Sequence, residues 1–93
     1  MIRSFADRDT EKVWKRTPVR RWSRDVQRAA YRKLMMIEAA EHLMDLRVPP
    51  GNRLEALAGN RADQHSIRIN NQWRVCFVWK EGYAEQVEIT DYH

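Results

Sequence analysis

Three side chains suited to proton transfer and stacking stand side by side at Asp91, Tyr92 and His93, directly after the alternating run Val87-Glu88-Ile89-Thr90. An imidazole titrates near neutrality, so His93 is the first candidate for proton work. A tyrosine ring can stack on a nucleobase, and Asp91 can orient an imidazole or accept a hydrogen bond. Arg68 and Arg74 lie on either side of the turn Asn70-Asn71-Gln72. Period-two alternation gives Arg68 the same face as Ser66 and Asn70, opposite Ile67 and Ile69. If a sheet buries its Ile/Val/Phe side, both arginines are expected on its open side, where a phosphate would be met. Such a set could cut RNA without a metal. A base takes the proton of a ribose 2′-OH, the oxygen attacks the adjacent phosphate, an arginine stabilises the growing charge, and an acid protonates the departing oxygen. Glu55, an isolated acid in Arg53-Leu54-Glu55-Ala56-Leu57, is the second candidate for the proton. Plainer roles fit equally well: Asp91 bonding backbone at a strand end, Tyr92 packing, and His93 fraying with the chain end.

Other chemistries find no support. His42, His65 and His93 are far apart, one cysteine is present, and no HExxH or paired-cysteine spacing occurs, so no metal site is expected. No glycine-rich phosphate loop and no serine nucleophile elbow is present, and no cofactor is expected. Cys76 sits in an apolar run and reads as a small buried hydrophobe.

The charge balance narrows the partners. Lys plus Arg number 17 against 13 acids, a net +4 at pH 7, and arginine outnumbers lysine. A planar guanidinium suits phosphate, so nucleic acid or an acidic protein fits, as does a merely solvated surface. Arg24, Arg28 and Arg32 recur every four residues and form a positive column on one helix face, a candidate RNA or partner surface. No apolar run approaches the roughly 20 residues of a membrane span. The segment Met1–Asp9 lacks the apolar core of a signal peptide, which makes a cytoplasmic location the expectation.

Positioning these groups falls to a small set of elements. A chain of 93 residues predicts one domain, spanning 1–93. Ile2–Phe5 reads as a short strand. Asp7 can cap a helix over Arg8–Lys15, anchored by Val13 and Trp14. Pro18 interrupts, and Ser23 then caps a long helix predicted to run until Val48-Pro49-Pro50-Gly51. Val26, Ala30, Leu34, Ile37, Ala40 and Met44 make its buried stripe, widened by Met35, Met36 and Leu43. Thereafter the period becomes two, with strands predicted at Arg53–Leu57, His65–Ile69, Trp73–Trp79 and Glu85–Tyr92. The outline is an α+β domain, with the long helix covering the Val75–Phe77 face of an antiparallel sheet.

At this point the chain resembles a known family. The segments MIRSF, PPGNRLEALAGNRADQHSIRINNQWRVCF and VEITDYH are similar to HigB-type toxins of the RelE/ParE toxin superfamily. The resemblance covers nearly the whole chain, and its middle segment is the most specific part. It implies a RelE-like microbial RNase fold, with two N-terminal helices packed on a small antiparallel sheet. It implies the toxin of a type II toxin–antitoxin pair, an enzyme that cleaves mRNA in the ribosomal A site and so inhibits translation. The implied partner is a HigA-like helix-turn-helix antitoxin that neutralises the toxin and represses their operon, so operator DNA is reached only through the antitoxin. Residue by residue, Asp91, Tyr92 and His93 match the C-terminal catalytic motif, and Arg74 of Gln72-Trp73-Arg74 matches a phosphate-contacting position, with Arg68 a looser match. Some relatives carry a histidine where this chain has Glu55 and a lysine where it has Ala58. The proton acceptor is therefore open between His93 and Glu55. The superfamily also contains branches that poison DNA gyrase without cutting RNA, so a binding-only protein is the alternative, and the Asp-Tyr-His motif discriminates between the two.

Overall fold

Two helices are fixed by their first residues. The computed structural model describes residues 1–91, and in it α1 spans Arg8–Trp14 and α2 spans Arg24–Ala39. A carboxylate oxygen of Asp7 accepts the Thr10 N–H at 3.2 Å, and Ser23 Oγ accepts the Val26 N–H at 3.2 Å. Each removes one of the unpaired donors that a helix start exposes. Val13 is buried, as are Ala30, Leu34 and Ile37, the three residues of α2 at zero exposure.

The long helix ends eight residues short of its predicted limit. Asp45 accepts both the Glu41 and His42 N–H groups at 3.0 Å and starts a separate 3₁₀ turn over Leu43–Arg47. Local side-chain bonding of this kind competes with helix continuation. The turn buries Leu46 and leaves Met44 at 55% exposure, so Met44 does not join the core stripe. Met35, also expected there, is 50% exposed, because the buried line of α2 passes through Leu34 and Ile37.

The second half forms a four-stranded antiparallel sheet in the order β1-β2-β3-β4. Its strands are β1 Glu55–Ala56, β2 Gln64–Arg68, β3 Trp73–Lys80 and β4 Tyr83–Asp91. β3 and β4 meet through Glu81 and Gly82, whose φ angles of 54° and 86° are those of a two-residue hairpin that follows the sheet twist. Ile67, Val75, Phe77, Val87 and Ile89 face the helices and are buried with Leu34 and Ile37. Thr10 Oγ1 accepts the Ile89 N–H at 2.9 Å, which ties α1 to β4.

Two features of the sheet depart from simple alternation. The register between β3 and β4 shifts between Cys76 and Val78, where Gln86 takes a left-handed φ of 52°. The predicted N-terminal strand is instead an extended segment bridged in parallel to β4 at Ile2–Ala84 and Phe5–Val87. Ser4 Oγ accepts the Gln86 N–H at 2.9 Å, so this segment fastens the bulged edge.

Candidate functional site

Arg68 and Arg74 are placed by the β2–β3 turn. Asn70 Oδ1 accepts the N–H groups of Gln72 and Trp73, each at 2.8 Å, and closes the turn so that Arg68 and Arg74 pair across the strands. Like charges directly opposite on one face repel. Arg68 is half-buried, donating from Nε to the Asn70 carbonyl at 3.1 Å and from Nη2 to Asn71 Oδ1.

Arg74 does not stand on an open face, as alternation alone suggested. It is 4% exposed, because the segment around Arg53–Glu55 folds over it. Its Nε donates to Ser66 Oγ at 2.7 Å, and Nη2 donates to the Arg53 carbonyl at 2.7 Å. Glu55 Oε1 lies 3.6 Å from Nη2, in an ion pair whose acid is largely solvent-accessible. A guanidinium held by several acceptors keeps one orientation, which a phosphate-binding group requires if it is to stabilise charge without first reorganising.

The covering segment is set by a buried amide. Asn52 has zero exposure and donates to the carbonyls of Leu46 at 3.1 Å and Val48 at 3.4 Å. Its Oδ1 accepts from Lys33 Nζ at 2.6 Å. The next residue, Arg53, takes a left-handed φ of 47°, and it is this residue's carbonyl that receives Arg74. Burial and the nearby charges of Arg32 and Arg68 hold the Lys33 ammonium below its ordinary pKa.

These groups surround a cavity of about 170 Å³ lined by Arg53, Glu55, Arg68, Asn70, Asn71 and Arg74. Three of its six residues are arginines and one is an acid, which is the charge pattern of an anion site. Asp91 is the last residue of β4, opposite Trp73, and accepts from Gln72 Nε2 at 3.2 Å. Tyr92 and His93 lie outside the described residues. Arg24 and Arg28, by contrast, face a different groove between the helices, while Arg32 is close enough to act on Lys33. Among the described residues no three His, Cys, Asp or Glu gather as metal ligands, and no helix is long and apolar enough to cross a membrane.

Sequence patterns brought out Arg68, Arg74 and Glu55 but not Asn52, Arg53, Lys33 or Ser66. Pro50-Gly51-Asn52 read only as a turn, and an asparagine in a turn carries no sign that it will be buried. Alternation did put Ser66 on the face of Arg68, which was the available signal.

The family model for the RelE-like toxin of the HigB type II toxin–antitoxin system matches residues 3–93. The chain belongs to the HigB-like toxin family. It is 48% identical over 59 residues to Toxin HigB-1 of Vibrio cholerae, an overlap covering 63% of this chain and 62% of that protein. It is also 47% identical over 49 residues to an uncharacterised protein of Haemophilus influenzae, covering 53% of this chain and 46% of that one. The two helices on an antiparallel sheet are the α+β fold expected of a RelE-like toxin. Within this HigB-like chain, the covered Arg74 and its partners line the one cavity that also takes in Arg68 and Glu55.

Proposed function

We propose that this chain is the toxin of a type II pair and that it inhibits translation by cutting mRNA in the ribosomal A site. The observation that carries this reading is the pairing of Arg68 with Arg74 across β2 and β3 at a cavity whose lining is dominated by arginine. Arg74 stabilises the charge that grows on the scissile phosphate, and Arg68 contacts the same group or its neighbour. Glu55, ion-paired at 3.6 Å, holds the Arg74 guanidinium in place. The proton work falls to His93, with Asp91 orienting it and Tyr92 stacking on a base. The partner is a HigA-like helix-turn-helix antitoxin, and operator DNA is reached through that antitoxin alone. The site of action is the cytoplasm.

The test is induction of the chain without an antitoxin, with mRNA 5′ ends mapped afterwards. Wild type should arrest growth and produce cuts; His93→Ala and Arg74→Ala should lose the cuts, and Glu55→Gln should reduce them less. Arrest that persists in His93→Ala without cuts would replace this reading with a binding-only toxin.

A further inference from the structure

The cavity at Arg74 is the smaller of two. A groove of about 350 Å³ lies between α1 and the first half of α2, lined by residues including Val13, Arg16, Gln27, Tyr31, Arg24 and Arg28. Its lining holds three arginines and no acid. None of the three makes an ion pair among the described residues, although nearby acids do: Glu11 pairs with Lys15 and Asp9 with Arg21. The groove therefore concentrates exposed positive charge that the protein leaves uncompensated.

The geometry of the groove is built. Arg16 has a left-handed φ of 63°, held by its N–H to the Val13 carbonyl at 3.1 Å. This brings its guanidinium 4.5 Å from the centre of the Tyr31 ring, which also packs on Trp14 at 5.6 Å. A guanidinium laid flat on a ring offers a plane on which a nucleobase can stack. Gln27 forms a rigid wall, bonded to the Val19 and Trp22 carbonyls at 2.8 Å and to the Val19 N–H at 3.1 Å. Arg24 and Arg28 stand one helical turn apart, about 6 Å along the axis, a spacing comparable to successive phosphates of an extended single strand.

We propose that this groove is a second RNA subsite, binding the phosphate backbone and one base of a single strand outside the cleavage cavity. It rests on the reading of the chain as an RNA-directed toxin. An acidic peptide would feel the same charge, but continuity favours the nucleic acid. The arginine column leads from Arg24 and Arg28 to Arg32, and Arg32 and Arg68 both act on Lys33 at the cleavage side. A strand with one phosphate at Arg68 and Arg74 has further phosphates to follow that line; a short peptide has no reason to.

The experiment measures binding without cutting, so that it stands apart from the nuclease reading. Wild type, Arg24→Ala/Arg28→Ala, Arg16→Ala and Tyr31→Leu are titrated against a labelled single-stranded RNA methylated at every 2′-OH, over a range of salt, and against a poly-glutamate peptide. Both arginines are exposed, so the double variant should fold, and circular dichroism verifies it. The double variant should bind the RNA about tenfold more weakly, with the salt slope reduced by about 1.4 for two lost phosphate contacts on a single strand. Arg16→Ala and Tyr31→Leu should lose affinity with a smaller change of slope. Unchanged RNA binding in the double variant overturns the proposal, as does loss of poly-glutamate binding alone, which would make the groove a protein interface. mRNA-end mapping with the same variants reports separately on cutting.

Discussion

Arg74→Lys keeps the charge and removes the fork. In the wild type one guanidinium reaches Ser66 Oγ and the Arg53 carbonyl, both at 2.7 Å and in different directions. A lysine has a single nitrogen at the end of a flexible stem and can keep one of these contacts. A hydrogen bond to a charged group is worth about 1.5–3 kcal/mol, and at 4% exposure water has little room to replace it. Arg74→Lys should therefore destabilise by roughly 2–3 kcal/mol, and Arg74→Ala, which breaks a buried charged network, by about 3–5 kcal/mol. Glu55→Gln removes a half-exposed partner and should cost below about 1 kcal/mol. Urea denaturation of the three variants measures this order. The catalytic half is read by cleavage of ribosome-bound mRNA at a temperature where all are folded. If Arg74 stabilises the transition state, Lys and Ala should lose about 10²–10³ in rate, while Ser66→Ala, which keeps the guanidinium, should lose much less. A lysine variant as stable as wild type would refute the fork argument. An alanine variant that cuts within a few-fold of wild type, corrected for folded fraction, would make Arg74 a purely structural residue.

The other predictions test the frame around the cavity. Asn52→Ala removes the amide that joins Lys33 to the Leu46 and Val48 carbonyls, and it should cost about 2–4 kcal/mol by leaving several buried polar groups unpaired; thermal melting measures it. Asp45 is held below the ordinary carboxylate pKa by the His42 and Glu41 N–H groups, so its contribution is present above the unfolded pKa and lost as pH falls through the folded one; Asp45→Asn should flatten that acid limb of a stability–pH profile. Burial pushes the Cys76 thiol up, so a thiol reagent at neutral pH should label it only after denaturant is added.

The elements were legible where one local signal decided them. Asp7 and Ser23 announced both helices, and alternation gave β2, β3 and β4 within a residue or two, hence the register of Arg68 against Arg74. The stop after Ala39 was not legible because an apolar period continued through Met44 while Asp45 captured two backbone donors. The bulge at Gln86 depends on Ser4, eighty-two residues away, and on a positive φ that no residue type there advertises. The burial of Arg74 was hidden for a similar reason. Its cover comes from Arg53, whose backbone is set by Asn52, whose amide is satisfied by two carbonyls and a lysine on α2. Long-range polar satisfaction of this kind leaves no periodicity in a sequence.

That chain of contacts also divides the two arginines of the cavity. Arg74 is built into the protein: its strand, Ser66 on the neighbouring strand and the Arg53 carbonyl fix where its charge points. Arg68 is anchored only to its own turn, through Asn70 and Asn71, and is half-exposed. A mobile cation near solvent attracts a polyanion and adapts to it, whereas a fixed one stabilises charge at a single point. Arg68 and Arg32 on either side of Lys33 extend the attracting region from the turn onto α2. The burial that seemed to remove Arg74 from the substrate is thus what suits it to the reacting phosphate: its orientation is settled by folding, before any RNA arrives.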